Sequence, residues 1–232
     1  MIALILARGG SKRLPNKNIL MMAGKPLIHY TLETALAAKN IDRVILSTDS
    51  EEIRDIALQI NGVEAPFLRP NEFATDTAQA ADVHFHAIDW FKENEGLDIK
   101  NLCLLLPTSP LRLPEDIDGA INLYKESNAD IVTSIVRAKP LAWHQNIDQE
   151  TKQMTSIIDM DNRDAVRNHQ EMPDSPVYLN GSVYVLNIDK YRKTRSYFGD
   201  KTYGYEMPLS RSIDIDERQE FEIAEALLNA RK

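Results

Sequence analysis

The chain has a single cysteine, Cys103, so neither an internal disulfide nor a cysteine-based zinc cage can form. Aromatic residues are scarce, 7% of 232. No stretch approaches the ~20 consecutive apolar residues of a membrane helix. A secretory leader is not expected: in MIALILARGGSKR the apolar run is only Ile2 to Ala7, and the charges follow it rather than precede it. Positive charge is not in excess either. Lys+Arg 27 against Asp+Glu 35 leaves a net charge of −8, which gives no basic footprint for nucleic acid. What is present is 43% hydrophobic and 27% charged residues, enough apolar material for a core and too much for disorder. These features predict one globular, cytoplasmic domain over residues 1–232, with no membrane and no nucleic-acid partner.

Short apolar runs alternate with amphipathic stretches of helix length. Strands are predicted at Ile2–Ala7, Arg43–Thr48, Val63–Leu68 (weaker), Leu102–Leu106, Ile131–Val136 and Val177–Leu186. Helices are predicted from Pro26 to about Ala38, from Asp49 and Ser50 through Ile60, over Ala78–Phe91, Glu115–Lys125 and Arg218–Arg231. The strands are apolar almost without interruption, which is the pattern of a mostly parallel sheet covered by helices on both faces. The expected fold is therefore three-layer α/β, Rossmann-like. Asn180-Gly181 reads as a bulge or tight turn inside the sixth strand. The pattern fails over 138–176, a polar stretch without period, longer than compact domains usually leave unstructured.

In such sheets ligands bind beyond the carboxyl ends of the strands. That rule selects the loops 8–18, 69–77 and 107–113. The first is lopsided in charge: Arg8, Lys12, Arg13, Lys17 and Lys25 all precede the first carboxylate, Glu33. With Gly9-Gly10-Ser11 permitting close backbone approach, this loop suits a polyphosphate, against the competing reading of a merely solvated basic loop. Neither the P-loop spacing nor G-x-G-x-x-G is present, so ATPase and dehydrogenase readings lose their support. At the other end, Ser212-Ile213-Asp214-Ile215-Asp216 would place Asp214 and Asp216 on one face if extended. That pair suits Mg2+ beside phosphates, against the competing reading of a cap for the last helix. His84 and His86 lie two apart on a predicted helix and do not share a face, so a metal pair is not expected. Cys103 reads as core.

Ala7-Arg8-Gly9-Gly10-Ser11-Lys12-Arg13-Leu14-Pro15-Asn16-Lys17-Asn18 resembles the N-terminal signature of the acylneuraminate cytidylyltransferases, the CMP-sialic acid synthetases. Ser47-Thr48-Asp49, Arg69-Pro70 leading to Asp76-Thr77-Ala78, Pro107-Thr108-Ser109-Pro110-Leu111-Arg112, Asn180-Gly181-Ser182 and the C-terminal acidic pair agree in order, so the resemblance spans nearly the whole chain. It implies a nucleotide-diphospho-sugar transferase fold and the Mg2+-dependent reaction of CTP with a nine-carbon α-keto acid sugar to give CMP-sugar and pyrophosphate. Carried over, Arg8, Ser11, Lys12 and Lys17 would hold the triphosphate, and Asn18, Arg69 and Ala78 the nucleoside. Asp214 and Asp216 would hold metal, with Arg8, Lys17 and Asp216 the catalytic set. Leu106, Thr108, Ser109, His169, Gln170, Tyr178 and Asn180 would lie on the sugar side. The resemblance also implies a homodimer in which residues 138–176 form an arm reaching the partner.

Three positions depart from that pattern. Leu106 stands where many sialate enzymes have Gln, His169 and Gln170 where many carry Arg, and Ala80 where several have Ser. These departures keep a CMP-legionaminate or CMP-pseudaminate synthetase open as the alternative, because a lost polar contact can match a substrate without the corresponding hydroxyl. A non-catalytic nucleotide-binding relative is the remaining rival, and retention of both aspartates speaks against it.

Overall fold

The apolar run that follows Met1 is strand β1 (Ile2–Leu6), in the interior of a seven-stranded sheet. The structure, a computed structural model, describes residues 1–75, 77–140, 143–157 and 176–231. A two-residue hairpin, β2 (Met21–Met22) and β3 (Lys25–Pro26), precedes α1 (Leu27–Ala37). There follow β4 (Arg43–Ser47), α2 (Glu51–Ala57), β5 (Val63–Glu64), α3 (Ala80–Glu95), β6 (Asn101–Leu105), α4 (Pro114–Ser127) and β7 (Ile131–Arg137). After β8 (Gln145–Ile147) and β9 (Met154–Ser156) come β10 (Val177–Asn187), α5 (Ile188–Thr194), β11 (Thr202–Glu206) and α6 (Arg218–Ala230). No described helix is long and apolar enough to cross a membrane.

The sheet order is β11-β7-β10-β6-β1-β4-β5. Strand β10 runs antiparallel to both its neighbours, and the other pairs of this sheet are parallel. Alternate residues of each strand feed opposite layers. Ala3 and Ile5 pack with Ile28 and Leu32 of α1, Ile53 of α2 and Ile117 and Ile121 of α4. Leu4, Leu102 and Leu104 pack on the other face with Phe85, Ile88 and Phe91 of α3 and Tyr191 of α5. A third cluster, outside the sheet, sets Phe221 and Ala224 of α6 on Leu14, Met22, Leu27 and Leu111. The sheet is thus covered on both faces, as the continuous apolar strands require.

Several boundaries differ from the sequence reading, each for a local reason. Pro26 is the residue before α1 rather than its first, because it is held in the bridge to Met21. Ser50 alone caps α2, its hydroxyl accepting from the Ile53 amide at 3.3 Å. That helix stops at Ala57 because Gly62, at φ +95°, turns the chain into β5. The strand expected to reach Leu68 pairs only at Val63 and Glu64. Helix α5 and edge strand β11 were not expected: α5 has only 7 residues, and β11 carries Gly204 in the middle of its alternation. Gly204 leaves room for its neighbour there, since a Cβ would fall 2.4 Å from Ile135 Cδ1 and force that side chain to shift. In the stretch read as irregular, β8 and β9 form a hairpin whose turn is tied by the Asp148 carboxylate to the amides of Glu150 and Thr151. Residues 141–142 and 158–175, and with them His169 and Gln170, lie outside the described residues, so the stretch expected to form an arm, 138–176, is described only in part.

His84 lies under the α3–α5 contact, 3.0 Å from the Tyr191 hydroxyl. His84 is buried, while His86 packs edge-on against Phe67. Burial, with some help from Arg69, pushes the His84 imidazole down to about 3. The unfolded chain takes up this proton near pH 6.5 and the folded chain does not, so the contribution is intact above that pH and declines as pH falls below it. Between pH 6.5 and 5 this group alone should remove about 2 kcal/mol of stability. Denaturant titrations at the two pH values measure it, and His84→Gln should flatten the difference.

Candidate functional site

The first loop leaves β1 and folds over the carboxyl edge of the sheet. Its course is fixed by hydrogen bonds from within. The Gly9 amide donates to Asp49 Oδ1 at 3.1 Å, and the same oxygen accepts from Arg69 Nη2 at 3.1 Å. Arg69 is itself placed by its amide, which donates to Thr48 O at 2.7 Å. The Asn18 side chain closes the loop by donating to Arg8 O at 3.0 Å. Asn16, at φ +55°, makes the left-handed turn into the single 3-10 turn Lys17–Ile19. Asn is among the residues that tolerate this region.

This loop, the segment after β5 and the loop after β6 enclose a cleft of roughly 520 Å³. One part of its wall carries Arg8, Lys12, Arg13, Lys17 and Arg69, with Asp216 the sole acid facing them among the described lining residues. Another part is apolar: Leu6, Ala80, Val83, Leu106 and Phe73. Arg69 is 5% exposed and burial lowers its pKa, against the raising influence of Asp49. Its Nε is buried with no described partner.

The acidic pair arrives from the far end of the chain along an extended segment. Ile213 and Ile215 turn into the third cluster, and the alternation turns Asp214 and Asp216 the other way. The Ile215 amide donates to Thr108 O at 2.9 Å, and Ile215 O accepts from Lys17 Nζ at 2.6 Å. Lys17 Nζ lies 3.7 Å from Asp216 Oδ1, and Arg13 Nη2 lies 2.9 Å from the same oxygen. Burial lowers the Lys17 pKa although Asp216 and Asp214 oppose the shift. Burial raises the Asp214 carboxyl, and the neighbouring Asp216 charge adds to it. The competing reading of Asp216 as a helix cap does not describe this geometry. The α6 cap is Glu217, whose amide donates to the Glu220 carboxylate at 2.9 Å in a capping box.

Beneath the cleft, β10 slips register between Leu179 and Tyr184, the bulge expected at Asn180-Gly181. Side chains replace the lost ladder bonds. The Val183 amide donates to Ser134 Oγ at 2.7 Å, and Ser182 N donates to Asn180 Oδ1 at 3.2 Å. Asn180 Nδ2 donates to Ser212 Oγ at 2.9 Å, joining the bulge to the acidic segment. Arg112, 2% exposed, sends Nη1 to Ser182 O at 2.5 Å and Nη2 to Thr31 Oγ1 at 2.8 Å. With neutral oxygens as its hydrogen-bond partners, burial pushes its guanidinium down to about 10.

The seven residues expected around the nucleotide, Arg8, Ser11, Lys12, Lys17, Asn18, Arg69 and Ala78, all line this cleft, as do Leu106 and Thr108. Asp214 is not among the lining residues; it is exposed and hydrogen-bonded to Thr108. Of the remaining sugar-side expectations, the described ones, Ser109, Asn180 and Tyr178, are not among the lining residues. Ser109 is 1% exposed, and Asn180 is 3% exposed with both ends of its amide engaged in the bulge network. Tyr178 is 48% exposed on the β10 approach. His169, Gln170 and Asp76 lie outside the described residues. The site roles implied by the resemblance omit Arg13, Phe73 and Arg112. Arg13 carried a signal, its place in the cationic run; a buried Arg112 carried none, because charge argues for surface.

Residues 2–222 match the family model described as Cytidylyltransferase. The chain is 34% identical to a CMP-N,N'-diacetyllegionaminic acid synthase of Legionella pneumophila, over 98% of this chain and 96% of that protein. It is 36% identical to an N-acylneuraminate cytidylyltransferase of Escherichia coli, over 97% of this chain. That match covers 51% of the Escherichia coli protein, so the chain spans about half the length of this relative, and likewise of one from Streptococcus agalactiae. In fold it is similar to a CMP:2-keto-3-deoxy-manno-octonic acid synthetase complexed with CTP, with a TM-score of 0.71 at 16% identity, covering 100% of this chain and 99% of that one.

Gly181 joins the bulge to the acidic pair. It lies at φ +72°, and a Cβ there would stand 3.2 Å from Asp214 Oδ2. Gly181→Ala should cost about 1–2 kcal/mol from the left-handed backbone alone. The displaced carboxylate adds to this. The urea midpoint should fall with an unchanged slope.

Proposed function

Because the chain belongs to the cytidylyltransferase family, we propose that it transfers the cytidylyl group of CTP to a nine-carbon α-keto acid sugar. The anomeric hydroxyl oxygen attacks the α-phosphorus, the bond from that phosphorus to the bridging oxygen breaks, and pyrophosphate departs as the hydroxyl proton is lost. One observation carries this reading: Arg8, Lys12, Arg13 and Lys17 of the first loop, together with Arg69, meet Asp216 from the far end of the chain at one cleft. The relatives' names supply the base and the sugar class.

Arg8, Ser11, Lys12 and Lys17 would bind the triphosphate, which also gathers the charge developing on pyrophosphate as it leaves. Asn18, Arg69 and Ala78 would receive the nucleoside, with the unpaired Arg69 Nε as a donor. Leu106 and Thr108 would border the sugar, with Ser109, Asn180 and Tyr178 behind or beside them. Asp214 and Asp216 fit a hard divalent cation. Both offer oxygen, the Asp214 carboxyl is raised, so that added positive charge favours its ionised form, and the missing Cβ of Gly181 leaves a cradle beside its Oδ2. Mg2+ bound there would neutralise charge on the α-phosphate and position its oxygens.

The sugar is a sialic acid or a relative in which a hydroxyl is replaced, such as legionaminate or pseudaminate. The apolar wall of Ala80, Val83 and Leu106 favours the second kind, since it offers no side-chain hydrogen bond to a hydroxyl. The cytoplasm, where CTP is available, is the proposed location. A homodimer is also proposed. Trp143, Ile147, Met154 and Ile157 are exposed in and beside the β8–β9 hairpin, Val177 and Tyr178 are exposed at the start of β10, and an isolated hairpin is marginal in water without a covering surface.

Pyrophosphate release from CTP with a panel of nine-carbon keto acids is the direct test, and no turnover with any of them would leave only a binding relative. Lys17→Ala should lower the rate about a hundredfold, the effect of one lost charge-assisted donor. Asp216→Asn should remove most turnover while calorimetry still detects CTP. Light scattering should give twice the chain mass, and Ile147→Ser with Met154→Ser should weaken that association.

A further inference from the structure

Arg13 faces the cleft, yet the roles above leave it without a function. Its Nη2 and Lys17 Nζ approach the same oxygen, Asp216 Oδ1, at 2.9 and 3.7 Å. The two cations differ in freedom. Lys17 is anchored by its 2.6 Å bond to Ile215 O, and its side chain is 14% exposed. The Arg13 side chain is 61% exposed and reaches Asp216, itself 47% exposed, across the rim. Ion pairs this exposed are weak and readily exchanged. A guanidinium has a better partner in a polyphosphate, whose oxygens accept its paired donors in a bidentate fork.

We propose that Arg13 alternates between two partners, the Asp216 carboxylate and the phosphate chain of the nucleotide, and so couples nucleotide binding to the opening of Asp216 for a divalent cation. This rests on the nucleotidyl-transfer reading and on Asp214 and Asp216 as the cation's ligands. While Arg13 holds Oδ1, a cation must displace it. Once phosphate draws Arg13 away, the same oxygen is free for the cation, with Lys17 still fixing the backbone beside it. Nucleotide and cation then bind cooperatively beyond what their direct contact supplies. Linkage makes the effect reciprocal, so each raises the other's affinity by the same factor.

The test uses the full chain with three probes: Mn2+ alone followed by electron paramagnetic resonance, CTP in EDTA followed by calorimetry, and Mn2+ in the presence of saturating CTP. Arg13→Gln should bind Mn2+ alone about threefold more tightly, the scale of one exposed ion pair. It should bind metal-free CTP about tenfold more weakly, as expected for one lost charge-assisted contact. The factor by which CTP improves Mn2+ affinity should shrink about threefold. Arg13→Lys, which keeps the charge without the fork, should fall between the two in all three measurements. Unchanged or weaker Mn2+ binding by Arg13→Gln overturns the exchange, and so does unchanged binding of metal-free CTP. If the unaltered chain binds no CTP, the nucleotidyl-transfer reading itself falls, a result separable from either of these.

Discussion

The backbone of Ile215 holds the cleft together. Its amide donates to Thr108 O, its carbonyl accepts from Lys17 Nζ, and its side chain is wholly buried against Leu14, Met22 and Phe221. Three segments far apart in sequence are thereby fixed to one another at a single residue. The buried side chain anchors the segment, and the two polar bonds set its height over the loops. Asp214 and Asp216, on either side, have little choice of position. A charged donor on a carbonyl that is shielded from water is stronger than a neutral one, which suits Lys17 to hold this contact despite the cost of its burial.

The floor under that arrangement is polar and fully buried, which is unusual beside a parallel sheet. Inserting residues into β10 breaks its ladder with β7, and buried amides cannot be left without acceptors. Ser134 and Asn180 accept from the Val183 and Ser182 amides, Ser212 accepts from the Asn180 side chain, and Arg112 reaches the Ser182 carbonyl and Thr31 of α1 from the end of the β6 loop. A hydrocarbon floor could not do this. The network costs desolvation of a guanidinium, seen in its lowered pKa, and in exchange it fixes the loop after β6 to the bulge.

Charge is divided unevenly between the molecule and its cleft. The chain as a whole is acidic, net −8, whereas the cleft wall gathers Arg8, Lys12, Arg13, Lys17 and Arg69. A cleft of one sign with low-dielectric walls concentrates the opposite charge, so an anionic ligand is drawn to this edge and repelled from most of the remaining surface. Asp216 inside that positive wall is the local exception. Its neighbours Arg13 and Lys17 balance it, so the acidic pair does not cancel the attraction for phosphate.

The sequence by itself determined the alternation of strands and helices, because burial on both faces writes an apolar run and one-sided burial writes a helical period. It pointed to the edge where the cleft lies, since the cationic run follows the first strand and loops after parallel strands share one edge. It also marked the Asn180-Gly181 bulge and the Asp214/Asp216 pair through residue type and spacing. Short or edge elements such as α5 and β11 left too little period to read. Tertiary structure alone decided that β10 runs against its neighbours, that Asn180 turns inward to the bulge rather than to the cleft, and that Arg112 is core. It alone brought Lys17 to Ile215 and Arg13 to Asp216. Periodicity and spacing report a residue's surroundings within a few positions along the chain. A hydrogen bond between residues about 200 positions apart depends on how whole layers pack, and local pattern carries no record of that.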